Sequence, residues 1–244
     1  MKFTVDQAFW DLFPQAQVVV MTVEGIDNHV DESKDPYFKD LLDKGVARSK
    51  EYIDDEQFTA SPVVQEWRQA FTKFKTKKGA RSSIEALLKR VSQGREFYPI
   101  NPLVDLYNSV SLAYAIPCGG EDMEKLAGGL SLGKAKGGEP FFPLGAEEDA
   151  PALPEEIIYY DQEGAVCRCL NWREAQRTML TEDTQQAILV MEAVTEEQGE
   201  RAKEAMDELK GLVKDYFGVP TNSSTNEPRC IKKSSGTVYF RRFV

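Results

Sequence analysis

The stretch from residue 98 to residue 122 constrains the fold most, because it carries both a clear helix start and a clear helix stop. Asn101 followed by Pro102 is typical of a helix N-terminus, since the asparagine side chain accepts an unpaired backbone N–H and proline has none to donate. Gly119 and Gly120 are predicted to end the helix in a turn. Between these signals, apolar residues recur near helical period beside a polar strip of Asp105, Asn108 and Ser109. A polar strip next to a glycine turn predicts the wall and rim of a binding pocket.

The rest of the chain alternates between strand and helix patterns. Runs of apolar and β-branched residues predict strands at residues 17–26, 157–160, 165–170, 187–194 and 236–240. The second and third of these strands are predicted to form an antiparallel hairpin. Helical spacing of apolar residues predicts helices at residues 61–79, 82–94 and 195–217. Ser82 with Glu85, and Thr195 with Gln198, have the spacing of capping boxes.

Length and composition favour a globular protein with a real core, since 41% of the 244 residues are hydrophobic. No apolar run approaches the roughly 18 residues of a membrane span, and the N-terminus lacks the pattern of a signal peptide. A cytoplasmic location without a membrane partner is therefore expected. The four cysteines show no Cys-x-x-Cys spacing and are expected to be reduced thiols.

The charge pattern limits nucleic-acid binding to one segment. A formal net charge of −10 argues against broad nonspecific binding, so DNA is not an expected partner. One basic cluster, preceded by Arg68, stands out in this acidic chain: Lys73, Lys75, Lys77, Lys78 and Arg81. It is interpreted either as an RNA-binding edge or as the solvated end of a helix, where cations are favoured. The sequence leaves both interpretations open.

The sequence contains few residues suited to binding a metal ion or a nucleotide. Zinc sites and Ser-His-Asp triads need histidines or cysteines in sets, and His29 is the single histidine. The glycine-rich stretch at residues 126–145 does not match a phosphate-binding loop, because Lys134 is followed by Ala135 where serine or threonine is required. No metal and no cofactor is expected.

Four consecutive residues stand where the second strand of the hairpin should end: Asn171, Trp172, Arg173 and Glu174. Side chains at such a position can project together into a pocket. A guanidinium binds phosphate or carboxylate through two parallel hydrogen bonds, an indole stacks on a base, and a carboxylate orients water. The plainer alternative is that Arg173 and Glu174 solvate a turn while Trp172 packs in the core.

The helix stretch and the segments after it resemble a known family. Residues 99–110, followed by Pro117 and Asp122, are similar to a segment of the editing (B3/B4) domain in the phenylalanyl-tRNA synthetase beta subunit. In that family the segment reads Pro-Ile-Asn-Asn-Val-Val-Asp-Val-Thr-Asn-Tyr-Val, with Gln-Pro-x-His-x-x-Asp downstream. The likeness continues in the same order through residues 129–145 and 157–161. The whole chain to about residue 218 resembles the free-standing members of the family.

The resemblance implies a mixed α/β, or α+β, fold of B3/B4 type in which helices flank a central, mostly antiparallel sheet. It implies one domain over residues 1–220, with residues 221–244 as a polar extension that includes the late strand. In the synthetase this domain hydrolyses tyrosine wrongly joined to tRNA. The resemblance therefore implies an aminoacyl-tRNA deacylase acting in trans, whose partners are the aminoacylated 3′ end of tRNA and its amino acid. A non-catalytic module that binds tRNA or an amino acid is the alternative.

The family's pocket residues map onto this chain with two departures. The pocket asparagine falls on Asn108, but the threonine before it is Tyr107 here, a residue that would contact the substrate. The pocket histidine falls on Gly119. Hydrolysis without that histidine would need a water molecule held by amides and by the hydroxyl of the tRNA itself.

A mechanism follows from the resemblance. The ester would lie between the helix that carries Asn108 and the loop of residues 171–174. Asn108 and the backbone amides of Gly119 and Gly120 would polarise the carbonyl, and Glu174 would orient water. The other three residues of the loop would bind the amino acid, the terminal phosphate or the ribose.

Overall fold

Six helices and ten strands occur in the residues that the computed structural model describes, which are 1–54, 57–219 and 227–240. The helices are α1 (Gln7–Leu12), α2 (Asp35–Ser49), α3 (Pro62–Phe71), α4 (Ser83–Ser92), α5 (Pro102–Tyr114) and α6 (Glu196–Phe217). The strands are β1 (Lys2–Val5), β2 (Gln17–Glu24), β3 (Cys118–Asp122), β4 (Leu130–Lys134), β5 (Ile157–Tyr160), β6 (Ala165–Arg168), β7 (Arg173–Glu174), β8 (Gln186–Ala193), β9 (Arg229–Ile231) and β10 (Val238–Tyr239).

The strands form two sheets. The first contains four antiparallel strands in the order β3-β8-β2-β9. The second contains six strands in the order β10-β1-β4-β5-β6-β7, where β1 and β4 are parallel and the other neighbours antiparallel. The fold is therefore α+β and mostly antiparallel, as predicted, with two sheets in place of a single central one.

The main core lies between the two sheets, because alternate side chains of each sheet point toward the other. Val18 and Val190 of the first sheet share a buried cluster with Leu132 and Tyr159 of the second. The opposite face of the first sheet is covered by α2, α5 and α6, whose apolar residues form another buried cluster with it. Burial on both faces explains why β2 and β8 are nearly continuous apolar runs.

The predicted start of α5 is confirmed, and a distant loop fixes it. The Asn101 side chain accepts a hydrogen bond from the backbone N–H of Val104 at 3.1 Å. The same oxygen accepts from the amide of the buried Asn28, which itself accepts from the N–H of Leu103 at 2.9 Å. The start of α5 is therefore fixed by Asn101 next to it and by Asn28, which comes before α2 in the chain.

The hairpin and the last helix are also confirmed. Strands β5 and β6 pair in antiparallel register. At the start of α6 the Thr195 side chain accepts from the N–H of Gln198 at 3.2 Å, while Gly218 ends the helix in the left-handed conformation.

The prediction that the helix beginning at Ser61 runs to Gly79 is wrong, because α3 ends at Phe71. The backbone N–H of Lys75 donates to the carbonyl of Glu155, which holds the following residues against the second sheet. The basic cluster therefore lies on a loop, and the interpretation of it as a helix end does not apply.

The capping box predicted at the start of α4 does not form. Ser82 makes no capping hydrogen bond, and its buried hydroxyl has no partner within the described residues. Glu85 instead accepts from the guanidinium of Arg68 at 2.8 Å and 3.1 Å. A nearby cation thus competes successfully for the glutamate that a capping box requires.

The C-terminal strands join the edges of the two sheets. Strand β9 pairs with β2, and β10, at the place of the predicted late strand, pairs with β1. The predicted domain boundary at residue 220 lies outside the described residues and stays a prediction.

Candidate functional site

A cavity of about 370 Å³ lies between the two sheets, a volume typical of small-molecule sites. The first sheet contributes β3 and β8 to its walls, and the second contributes β4 to β7. The lining contains three carboxyl groups among mostly apolar and aromatic neighbours. Its residues are Ser83, Cys118, Gly119, Glu121, Leu130, Leu144, Tyr159, Cys167, Asn171, Trp172, Arg173, Glu174, Val190 and Glu192. All four residues of the predicted loop therefore line one cavity.

Three glutamates from three strands meet in this cavity: Glu121 of β3, Glu174 of β7 and Glu192 of β8. Burial raises the pKa of Glu192 to about 7, against the opposing effect of its hydrogen bonds. Burial and then the charge of Glu192 raise the pKa of Glu174 to about 7. The pKa of Glu121 rises well above its usual range through burial and then through the charge of Glu174. Carboxyl groups with a pKa near 7 are suited to general acid–base catalysis at neutral pH.

Glu192 connects the two sheets through its hydrogen bonds. The hydroxyl of Tyr159 donates to Glu192 Oε1 at 2.7 Å, and Asn171 Nδ2 donates to Glu192 Oε2 at 3.1 Å. Tyr159 lies on β5, and Asn171 lies in the turn between β6 and β7. The orientation of this carboxyl group is therefore fixed before any ligand enters.

Two buried acceptor atoms in the lining have no hydrogen-bond partner within the described residues. They are Oε2 of Glu121, a residue that is 5% exposed, and Oδ1 of Asn171. An unpaired buried acceptor costs free energy comparable to a lost hydrogen bond. A ligand that brings N–H or O–H donors would satisfy both atoms.

Gly119 and Gly120 do not form the predicted turn, because both lie within β3 and pair with β8. A Cβ at Gly119 would lie 3.6 Å from Oε1 of Glu174, on the cavity side. A Cβ at Gly120 would lie 2.9 Å from side-chain carbons of Leu180 and Leu189, on the other face. Successive N–H groups of a strand point toward opposite edges of the sheet. The two amides therefore cannot converge on one carbonyl oxygen as predicted.

The structure does not bring the predicted wall residues of α5 to this cavity, although Asp105 and Ser109 line two other hollows. Helix α5 packs on the opposite face of the first sheet, and Asn108 does not line the cavity. Tyr107 is buried beneath Gly120, with a ring carbon 3.5 Å from the position of a Cβ there, and it also lies outside the lining. The polar strip is satisfied locally instead, since Asp105 accepts from the N–H of Ile100 and the Ser109 hydroxyl donates to the Leu106 carbonyl.

The outer rim of the cavity carries the aromatic and cationic groups of the loop. The guanidinium of the exposed Arg173 lies over the Trp172 ring, 5.4 Å from its centroid. The backbone N–H of Ser83 donates to the Asn171 carbonyl at 3.2 Å, which joins the start of α4 to this rim.

The segment that carries the basic cluster contacts the turn between β6 and β7, which leads to this rim. Ser83 lines the cavity two residues after Arg81, and the backbone N–H of Lys77 contacts Cys169 Sγ at 3.5 Å. Lys75, Lys77, Lys78 and Arg81 are exposed and make no ion pair with any described residue. Lys73 of the cluster and Arg68 before it differ, since Arg68 is paired with Glu85 and the Lys73 ammonium lies over the Phe13 ring at 5.1 Å.

Sequence reasoning missed Glu121, Glu192 and Tyr159. Glu192 had one usable signal, because it is a lone charged residue inside an apolar strand that is buried on both faces. Glu121 follows a glycine pair whose composition predicts a turn, and a residue after such a turn is not expected inside a sheet. No group of three His, Cys, Asp or Glu side chains within the described ranges could hold a metal ion.

Replacing Glu174 with glutamine is expected to stabilise the protein at alkaline pH. The pKa of Glu174 rises from 4.5 to about 7 on folding, so the folded protein favours the protonated carboxyl group. The free energy of unfolding therefore decreases as the pH increases from about 4.5 to about 7. Glutamine removes that loss, so the free energy of unfolding should increase by about 1–2 kcal/mol at pH 8 and by less at pH 5.5. Urea unfolding at both pH values measures this difference. An equal gain at the two pH values would contradict it.

These features define a class of protein: an α+β domain with a carboxyl-lined cavity between two sheets. The sequence matches the B3/4 domain family over residues 66–218, which is more than half of the chain. The protein therefore belongs to the B3/4 domain family.

Comparisons with solved structures and with curated proteins were also made. Sixteen chains of solved structures match, among them an N-terminal fragment of the phenylalanyl-tRNA synthetase beta subunit from Pyrococcus horikoshii. That match has 13% sequence identity and a TM-score of 0.42, and it covers 84% of this chain and 48% of the fragment. The chain thus spans about half the length of that fragment. A search of the curated proteins found no match. Among the described residues, no helix is long and apolar enough to cross a membrane.

Proposed function

We propose that this protein is a trans-acting deacylase that binds the 3′ end of a mischarged tRNA and hydrolyses its aminoacyl ester. Membership of the B3/4 family supports the proposal, as does the resemblance of residues 99–122 to the synthetase editing domain. The observation that carries it is the position of Glu174, whose carboxyl group has a pKa of about 7 inside a cavity of suitable size.

The chemistry needs one water molecule and no other co-reactant. The carboxylate of Glu174 takes a proton from water as the water oxygen bonds to the ester carbonyl carbon. The bond from that carbon to the ribose oxygen then breaks, and the proton passes from Glu174 to the leaving oxygen. The products are the free amino acid and a tRNA with a free terminal hydroxyl.

The rim and the basic cluster give the tRNA a place to bind. Trp172 presents a ring on which the terminal base can stack, and Arg173 can bind a phosphate. The exposed cations of the cluster would bind the phosphates of the acceptor end that follow the terminal base. Because the protein as a whole is acidic, a local cluster of exposed cations would attract only one segment of the RNA.

The direct test incubates the purified protein with a panel of correctly and wrongly aminoacylated tRNAs and follows the loss of each ester against a buffer control. At least one mischarged tRNA should decay faster than its control. If none decays faster, the deacylase proposal is wrong. A tRNA that binds without losing its ester would support the non-catalytic alternative.

Replacing Lys75, Lys77 and Lys78 together by glutamine is expected to weaken tRNA binding at least about tenfold. Each lost phosphate contact removes the release of a counterion, so the slope of log affinity against log salt should fall by about 2 to 3. Titration of tRNA at several salt concentrations measures both quantities.

The matched control replaces three exposed lysines at the two ends of α2 and on α6, none of which lines the cavity: Lys34, Lys50 and Lys214. This variant has the same net charge but keeps the cluster beside the cavity. Equal weakening by the two triple variants would show that only overall charge matters, and would remove the cluster from the binding surface.

A further inference from the structure

The cavity contains carboxyl groups without a matching cation. Within the described residues Glu121, Glu174 and Glu192 form no ion pair. The cationic group in the lining, Arg173, is exposed and lies over Trp172. Arg177, which comes near enough to affect Glu121, is held by Asp161 through two hydrogen bonds of 2.7 Å and 2.9 Å.

Two buried atoms of the lining are acceptors without a partner among the described residues. Glu192 already receives two hydrogen bonds, whereas Oε2 of Glu121 and Oδ1 of Asn171 receive none from the described residues. Any aminoacyl group brings an α-ammonium, which can satisfy one carboxylate. A second buried acceptor then stays unpaired unless the side chain of the amino acid also brings a donor.

The remaining walls suit a flexible aliphatic stem. Leu130, Leu144 and Val190 line the cavity together with the thiol of Cys167. Methylene groups pack favourably against such surfaces while a charged end reaches a carboxylate.

We infer that the aminoacyl group bound in this cavity has a side chain ending in a cationic nitrogen group, as in lysine or arginine, with Glu121 as its partner. The inference rests on the proposed function, since it names the substrate class of the same site. A neutral hydroxyl, as in tyrosine, would satisfy one acceptor but would not stabilise the ionised form of Glu121 as a cation does.

The inference also predicts the direction of a pH effect. The titratable groups at the cavity are the three glutamates, Tyr159, Cys167 and Arg173, and Cys118 lies on the other face of β3. The Thr178 side chain and the charges of Arg177 and Asp161 also act on Glu121. The pKa of Tyr159, Cys118 and Cys167 is raised by burial, so these groups stay neutral near pH 7. A cation displaces protons from the glutamates, so its affinity should increase as pH increases from 6 to 8.

The test measures binding of two matched pairs of amino acid amides by calorimetry at pH 6 and pH 8. Lysinamide is paired with norleucinamide, which lacks the side-chain amine, and argininamide is paired with citrullinamide, its neutral isostere. One cation should bind at least about tenfold more tightly than its neutral counterpart at pH 8, with a smaller ratio at pH 6. Glu121→Gln should reduce this ratio, whereas Glu204→Gln, an exposed change on α6, should leave it unchanged.

Two results would overturn the inference: equal affinity within both pairs, or tighter binding of tyrosinamide than of either cation. Loss of a neutral aminoacyl ester, such as tyrosyl-tRNA, in the same protein would then leave the deacylase function standing. Conversely, selective binding of a cation without hydrolysis of any aminoacyl-tRNA would retain the cation site and refute the deacylase.

Discussion

Replacing Glu174 with glutamine is expected to lower kcat/KM for aminoacyl-tRNA hydrolysis by about 100-fold to 10,000-fold. Glutamine keeps the size of the side chain but cannot take a proton from water. Because Glu174 has no hydrogen bond to another described side chain that the substitution would break, the cavity should keep its shape. The same variant should still bind tRNA with an affinity close to that of the wild type, since the basic cluster is unchanged.

The pH profile separates a catalytic role from a structural one. In the wild type, kcat/KM should increase with pH as Glu174 loses its proton near pH 7, and the variant should lose that dependence. Glu204→Gln is the matched control, because Glu204 is exposed on α6, away from the cavity. If Glu174→Gln retains more than a tenth of the activity, another group acts as the base, and Glu121 becomes the next candidate.

Local patterns predicted the elements that depend on neighbours in sequence. The Asn101 cap, the β5–β6 hairpin and the Thr195 cap are each decided within a few residues, and all three are confirmed. The position of residues 171–174 at a strand end is equally local. Its four side chains do reach a common cavity.

The predictions that failed concern residues whose contacts come from a distant part of the chain. Gly119 and Gly120 have the composition of a turn, but pairing with β8 overrides that preference. Periodicity gave α5 a polar strip and a buried face, yet it does not determine on which side of the first sheet the helix packs. Glu121 and Glu192 line the same cavity because β3 pairs with β8. The spacing of the two residues along the chain does not predict this pairing.

Replacing Glu156 with glutamine is expected to reduce the free energy of unfolding by about 3–5 kcal/mol. Glu156 and Arg168 form a buried ion pair with two hydrogen bonds, in which the side chains are 0% and 2% exposed. Glutamine would leave the guanidinium charge uncompensated and would place an amide N–H against another donor. The exposed pair of Glu163 with Arg177 is the control, and Glu163→Gln should cost less than about 1 kcal/mol.

This pair also holds the turn that precedes residues 171–174 of the cavity lining. Arg168 is the last residue of β6 and pairs with Arg173 of β7, and its carbonyl accepts from the N–H of Trp172. Between them, Cys169 and Leu170 adopt left-handed conformations, with φ of 47° and 64°, that non-glycine residues rarely adopt. Such a turn persists only when its ends are fixed, so Glu156→Gln should lower deacylase activity as well as stability.

A double replacement distinguishes stability from positioning. Arg168→Met with Glu156→Leu removes both charges, and it should recover most of the lost stability because hydrophobic residues of similar volume often replace a buried ion pair without cost. Activity should stay low in this variant, since the hydrogen bond from the Arg168 side chain to the Ala150 carbonyl is also lost and the turn is less constrained. Urea unfolding and ester hydrolysis, measured on the same preparations, give the two quantities. Recovery of both together would mean that the ion pair contributes stability alone and does not position the loop.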